Sequence, residues 1–368
     1  MAIEGIGIIG ANKRSLVLAN HLAINGFQIR IYDNFRDSLN ILSAKLKWSF
    51  KKENRTDLLS NVETIQDYSK FKGADLIIET SDKSFEERFL YFSKILKEVG
   101  PECIVAVNPF IPIVSSLQKL QMLPAERVVG LDFSEVFPCQ FMEVSTTDYT
   151  DVGVTQNFVS FVEKLGVKYS VINDRPGGMM ERLTRVYINS AFAVLSKGKG
   201  TPYEIDSAMK ELTGSKYGPF EFLDIRGIDY DYNSAVRIYE LLPNRVVMQP
   251  DEIEMKLMQY GHTGRKANLG VYIYEGGEIV GENPVLPAII KYLGLKEVDK
   301  TEIFSDIMIP VLSEAKQLAS EIMIGEQDIE NVTKLSFGWN FGIFGFQKKN
   351  PELFVVKEKS EFDNLDTF

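Results

Sequence analysis

Histidine is nearly absent from this chain: 368 residues hold only His21 and His262. That leaves no imidazole cluster for a metal and little acid–base chemistry suited to neutral pH. The two cysteines, Cys103 and Cys139, sit in apolar surroundings without metal-ligand spacing. Buried free thiols in a reducing cytoplasm are the expectation, with no metal site. No apolar run approaches the roughly 20 residues that span a bilayer. The start, Met1-Ala2-Ile3-Glu4, has no basic region or cleavage site and reads as the approach to a strand. No membrane partner is therefore expected. Nor is nucleic acid: 41 Lys and Arg face 51 Asp and Glu, a net charge of -10, and the basic residues are scattered along the chain.

What is present is ordinary for a globular protein, 45% apolar and 25% charged, in a chain long enough for two or three domains. Over the first 180 residues short β-rich runs alternate with helical patterns. The runs predict strands over Gly5–Ile9, Gln28–Tyr32, Ala74–Glu79, Cys103–Val107, Arg127–Leu131, Phe141–Val144 and Lys168–Ile172. Helices are predicted between most of them, for example over Ser38–Lys51 and Phe85–Val99. Such alternation builds an α/β fold, a doubly wound and mainly parallel sheet covered by helices. From about Gly178 the pattern turns to helical periodicity broken by Gly and Pro.

The helical half repeats itself. Shifted by 124 residues, Asn189–Phe222 falls on Ser313–Phe346 without a gap, pairing Ala191 with Ala315, Ile205 with Ile329 and Lys210 with Lys334. Gly214, Gly218, Phe220 and Phe222 meet Gly338, Gly342, Phe344 and Phe346. One helical unit used twice is the reading. The domains predicted are 1–180, a dinucleotide-binding domain; 181–298, a first helical domain; and 299–368, a shorter second helical repeat. The boundary falls near Val298–Lys300, and Lys357–Phe368 is polar enough to be a frayed tail.

The first strand runs into Gly10-Ala11-Asn12-Lys13-Arg14-Ser15, which opens a helix reaching about Asn25. This is where the Rossmann fingerprint G-x-G-x-x-G belongs: the first glycine makes the turn, the second admits the pyrophosphate, the third lets helix and strand pack. Only Gly10 survives. Asn12 adds bulk at the second position, while Ser15 at the third is small. Asp33 ends the second strand about 23 residues on, where an acid grips the ribose hydroxyls and disfavours the extra phosphate of NADP. An ordinary turn residue is the plainer reading of Asp33.

Further motifs extend over essentially the whole chain: Phe71-Lys72-Gly73-Ala74-Asp75-Leu76-Ile77-Ile78-Glu79, Pro124-Ala125-Glu126-Arg127-Val128-Val129-Gly130, Asp174-Arg175-Pro176-Gly177, Ile205-Asp206-Ser207-Ala208-Met209-Lys210, Gly218-Pro219-Phe220-Glu221, Gly264-Arg265-Lys266 and Gly270-Val271-Tyr272. Together they resemble the 3-hydroxyacyl-CoA dehydrogenases. The resemblance implies NAD as cofactor, an acyl-CoA-type substrate and hydride transfer at its 3-carbon. It also implies a His base oriented by a Glu, with an Asn and a Ser on the substrate oxygen. The family's paired helical domains match the repeat. Candidate cofactor contacts carried over are Gly10, Ala11, Asn12, Lys13, Asp33, Thr80, Ser81, Arg88 and Asn108.

The catalytic positions are mostly changed. Asp132 stands where the resemblance places the His, two residues after Gly130, and Glu135-Val136 replaces the Asn-Pro that follows. The segment from there to Glu143 is one residue short. Glu143 is retained. Glu181, five residues after Pro176, stands at the Asn of the joining helix, and Asn108-Pro109-Phe110-Ile111 keeps the Asn but not the hydroxyls of Asn-Thr-Ser-Ser. A carboxylate, with a reference pKa of about 4, is a poor base at neutral pH. Neither histidine can substitute, one lying on the first helix and the other in a loop of the helical half. If Asp132, Glu143 and Glu181 converge, they crowd a site meant for one carboxylate; otherwise Asp132 and Glu181 face solvent. Three readings stay open: a degenerate family member acting as a non-catalytic ligand-binding or partner subunit of acyl-CoA metabolism, a working NAD-dependent enzyme with a non-His base, or different chemistry in an acidic pocket. The attached second repeat predicts a monomer through the helical surface.

Overall fold

The computed structural model describes residues 3–81, 85–108, 114–115, 123–135, 139–242, 245–290, 299–322 and 324–355. The sequence readings at Met1-Ala2, Pro109–Ile111, Val136, Val298 and Lys357–Phe368 lie outside the described residues. The chain forms two compact units, one of Met1–Met180 with Ile322–Ile324, the other of Glu181–Glu321 with Gly325–Phe368.

The first unit is an eight-stranded sheet. Its elements in chain order are β1 (Gly5–Ile9), α1 (Lys13–Ile24), β2 (Gln28–Tyr32), α2 (Arg36–Lys52), β3 (Val62–Ile65), β4 (Leu76–Glu79), α3 (Phe85–Glu98), β5 (Ile104–Val107), β6 (Val128–Phe133), β7 (Phe141–Thr146), α4 (Val152–Lys164) and β8 (Lys168–Asn173). The strands lie in the order β3-β2-β1-β4-β5-β6-β7-β8, all parallel except the antiparallel pair β6–β7. The central strands β4, β5 and β6 are buried at every residue, as continuous apolar runs covered on both faces must be. One core layer packs Leu18, Leu22 and Phe50 of α1 and α2 on Ile6, Ile8, Ile29 and Ile31; the other packs Tyr91, Phe92 and Ile95 of α3 on Ile77 and Val105. The strand order reverses between β1 and β4, so the carboxyl ends there form the crevice in which doubly wound sheets hold ligands.

The second unit is helical: α5 (Met180–Ser196), α6 (Pro202–Thr213), α7 (Pro219–Arg226), α8 (Ile228–Leu241) and α9 (Glu252–Gln259), then the hairpin β9 (Tyr272–Glu275) and β10 (Glu278–Glu282), α10 (Leu286–Ile289), α11 (Lys300–Ile322), α12 (Glu326–Leu335) and α13 (Ile343–Lys349). The repeat is visible in atomic detail. Thr201 and Gly325, 124 apart, start α6 and α12, and each backbone N–H donates to the acid three residues on, Glu204 or Asp328. Gly214 and Gly338 both take φ of 70° after those helices. Gly218 and Gly342 both precede the next helix, pressed against Asp206 and Glu330, whose carboxylates accept backbone N–H groups of α7 and α13. The two copies dock: Asn340 N donates to the Thr213 carbonyl at 2.9 Å, and Ser215 Oγ donates to the carbonyl of Phe337, the equivalent of Thr213, at 3.1 Å. A carbonyl near the end of each copy's first helix thus accepts a hydrogen bond from the other copy. Phe222, Phe337, Trp339 and Tyr187 fill the seam with ring centroids 5.0–5.9 Å apart.

Candidate functional site

At the carboxyl end of β1 the chain turns through Gly10 at φ +103°, where a Cβ would press on the Ser81 backbone at 3.1 Å, so the first glycine of the fingerprint is needed by packing alone. Beyond it the loop is closed on itself. Asn12 caps α1: its Oδ1 accepts from Ser15 N at 3.0 Å, while Asn12 N donates to Ser15 Oγ at 2.8 Å. Its Nδ2 donates to the Thr80 carbonyl at 2.6 Å, so this side chain bridges the β1 and β4 ends across the switch-point crevice. Thr80 in turn donates its hydroxyl to the Ile9 carbonyl. Ala11 N donates to Asp33 Oδ2 at 2.8 Å, and Phe35 N to Asp33 Oδ1 at 2.9 Å.

The backbone N–H groups of Ala11, Asn12 and Ser15, on the loop that would cradle a pyrophosphate, thus donate to the chain's own side chains. Asp33 fits a ribose, since each oxygen spends one lone pair on backbone and keeps another. Asn12 does not fit the phosphates, because it puts a side chain at the position where the fingerprint needs glycine, and its amide is tied to Ser15 and Thr80.

Arg14 was not singled out by sequence reasoning, and it dominates the site. Buried in the first turn of α1, it reaches the end of β6, where its guanidinium donates to Asp132 Oδ1 at 2.8 Å and Glu135 Oε1 at 3.0 Å and lies 4.3 Å from the Phe133 ring centre. Lys13 adds a second cation, 3.2 Å from Glu135. Asp132 is therefore buried and ion-paired, and the solvent-facing alternative is excluded. The signal was a charged residue on the core-facing side of a helix start, with the carboxylates Asp132 and Glu135 elsewhere in the chain to meet it.

Glu143 pairs with Asp132 across the β6–β7 ladder, so both side chains leave the same face of the sheet. Its Oε2 accepts Met179 N at 3.0 Å and Met180 N at 3.2 Å, and a Cβ on Gly178, at φ +50°, would overlap Oε1. Ser81, Arg88 and Asn108 gather around Glu79. Ser81 Oγ and Arg88 Nη2 donate to its carboxylate, the latter at 2.6 Å, and Arg88 also reaches the Asn108 carbonyl at 3.2 Å.

Glu181 belongs to the second unit, where it is also buried rather than solvent-facing. Arg226 Nη2 donates to both its oxygens at 2.9 and 2.8 Å, and Ser234 to one at 3.3 Å. Arg226 Nε donates to Asp231, which also takes Arg185, and Arg185 lies 3.1 Å from Glu254. Three carboxylates here face two guanidiniums. Burial pushes the Glu254 carboxyl well above its ordinary range, while the adjacent guanidiniums hold Asp231 below its own.

The histidines stay outside this chemistry. His21 Nε2 bonds the Leu165 carbonyl, and burial lowers its pKa; His262 Nδ1 bonds Asn283. Cys103 and Cys139 are buried free thiols, raised by burial to about 12 and about 11. Among the described residues no group of His, Cys, Asp and Glu could hold a metal.

Residues 1–175 match the model of the 3-hydroxyacyl-CoA dehydrogenase NAD binding domain, and residues 177–274 that of the C-terminal domain. This chain belongs to the 3-hydroxyacyl-CoA dehydrogenase family. A 3-hydroxybutyryl-CoA dehydrogenase of Bradyrhizobium diazoefficiens is 27% identical over 288 residues, 76% of this chain and 98% of that one. A probable 3-hydroxybutyryl-CoA dehydrogenase of Deinococcus radiodurans is 27% identical over 284 residues, 73% of this chain and 99% of the other. Among solved structures, a 3-hydroxybutyryl-CoA dehydrogenase of Escherichia coli K12 aligns with a TM-score of 0.78 at 17% identity, covering 95% of this chain and 92% of that one. At that identity the likeness speaks for the fold. Within the family, then, this chain has the sheet and the helical units, and an internal ion-pair and hydrogen-bond network ties the turn after β1 and the start of α1 to Thr80, Asp132 and Glu135.

Proposed function

We propose that this chain is a member of the 3-hydroxyacyl-CoA dehydrogenase family that has lost hydride transfer and serves acyl-CoA metabolism as a ligand-binding or partner subunit. The observation that carries this reading is the Arg14–Asp132 pair. The residue at the base position is held at 2.8 Å by a buried guanidinium from the first turn of α1, just past the loop that should cradle the cofactor. A base must be free to meet the substrate, and this buried carboxylate is already engaged by a guanidinium. The Asn12 bridge to Thr80 supports the same conclusion on the cofactor side.

When bound, NAD would supply the hydride acceptor; the residues here that suit it are Gly10 and Asp33, and Asn12 opposes it. Turnover with acetoacetyl-CoA and NADH should fall far below the typical enzyme median of about 10 per second. A robust rate would overturn the proposal and favour the second reading, a dehydrogenase with a non-His base, for which the retained Glu143 is the supporting residue. In that case Asp132→Asn should abolish activity more completely than Glu181→Gln. Localisation in the cytoplasm and a monomeric state through the helical surface belong to the same proposal.

A further inference from the structure

Helix α2 has two apolar faces, and only one is explained by the fold. Leu39, Leu42, Leu46 and Phe50 are buried in the core. At 3.6 residues per turn, Ile41 and Trp48 lie on the opposite side within about 20° of each other. They are 57% and 66% exposed, large values for an isoleucine and a tryptophan. Lysines flank this stripe on both sides, Lys45 and Lys52 on one, Lys51 and Lys47 on the other, all four exposed. Among the described residues none of the four has a carboxylate within ion-pair distance, and Lys52 instead lies 5.3 Å from the Trp48 ring centre. The acids nearest the face are Asp37, one turn before Ile41, and Glu53, just past the helix end. In a chain of net charge -10, this helix carries a local excess of positive charge.

We infer that the outer face of α2 is a docking surface for an anionic lipid bilayer, with Trp48 and Ile41 at headgroup level and the four lysines on the lipid phosphates and carboxylates. A central apolar stripe with lysines on either flank is the pattern of helices that lie in a membrane interface, where an indole is apolar in body and polar at its N–H. A bilayer needs no shape complementarity and meets a convex helix with many anionic groups at once. A stable protein partner would have to bury roughly 800 Å² on each side, far more than two apolar side chains supply. The absence of a spanning segment, from which no membrane partner was expected, does not bear on a peripheral contact of this kind. The lysine cluster also departs from the scattered distribution read along the sequence, because four positions spread over eight residues converge only once the helix forms.

The test uses the full chain and its own reporter. The only other tryptophan, Trp339, is 3% exposed, so a change in emission on mixing with vesicles reports Trp48. Vesicles of phosphatidylcholine with about a third phosphatidylserine, near physiological salt, should shift the emission to the blue and co-sediment the protein; vesicles of phosphatidylcholine alone should do neither. Each of Lys51→Gln and Lys52→Gln should weaken binding roughly fivefold, and 0.5 M salt should abolish it. Trp48→Ala should reduce co-sedimentation while leaving the circular dichroism spectrum unchanged. The inference is overturned by any of three results: no binding to the anionic vesicles, equal binding to neutral ones, or binding indifferent to these substitutions. It is also overturned if duplex DNA binds as tightly as the vesicles through the same lysines, which would mark a general polyanion surface.

Discussion

Replacing Arg14 by Met is the most informative single change to the fold. The side chains of Arg14 and Asp132 are 6% and 5% exposed, and Glu135 11%, so the variant strands one carboxylate with no cation and leaves the other with the half-exposed Lys13. Breaking a buried ion pair by removing one partner costs about 3–5 kcal/mol, because the surviving charge is uncompensated. With an m-value of about 3 kcal/mol per molar urea for a unit of this size, the midpoint should fall by about 1–1.7 M. The two tryptophans make the assay clean: Trp48 lies in the first unit and Trp339 in the second, so a Trp339→Phe background reports the first unit alone. Asp132→Asn combined with Arg14→Met should be less destabilising than the sum of the single changes by more than 1 kcal/mol. Strict additivity, or an Arg14→Met midpoint within 0.2 M of the parent, would refute the claim that a buried pair fills this site.

Gly178→Ala should destabilise the first unit by more than about 2 kcal/mol, since the backbone is left-handed there and the new Cβ overlaps Glu143; urea unfolding checks it. In the second unit, burial raises Asp224 to about 7 and Asp206 to about 8. A carboxyl whose folded pKa lies above its unfolded value binds more protons when folded, so stability falls as pH rises between about 4 and 8; melting followed through Trp339 should show that decline, and a rise over that window would contradict it. Ending the chain after residue 298 removes the copy that packs Phe337 and Trp339 on Tyr187 and Phe222. Light scattering should then find dimers or aggregates, and a truncation that remains a monomer would refute the docking account.

Much of the fold was legible because its strands are short, strongly apolar and punctuated. The bounds of β1 and β2 were read to the residue, where glycines and polar turns delimit runs of Ile. β3 was missed: Val62-Glu63-Thr64-Ile65 is an edge strand whose middle faces solvent and so carries little apolar signal. The β9–β10 hairpin was missed despite Gly276-Gly277 between two β-rich runs, a turn signal that could have been read. The repeat was legible because spacing is a property of sequence itself.

The residues that depart from the glycine fingerprint, Asn12 and Ser15, and the carboxylate Asp132 could be read from the sequence. The long-range partners could not. Arg14 and Asp132 are 118 residues apart, and nothing local ties them until β1 and β6 take their places in one sheet. Glu181 illustrates the same limit, since its partner Arg226 lies 45 residues on.

If the chain's own side chains close the dinucleotide crevice, titration of NADH into the protein should reveal it. Cofactor fluorescence should show no saturable binding in the parent chain. Asn12→Gly with Ser15→Gly, which removes the bridge to Thr80 and the closed cap, should gain measurable affinity, selective for NADH over NADPH because Asp33 remains. Saturable micromolar binding of NADH by the unaltered protein would contradict the account.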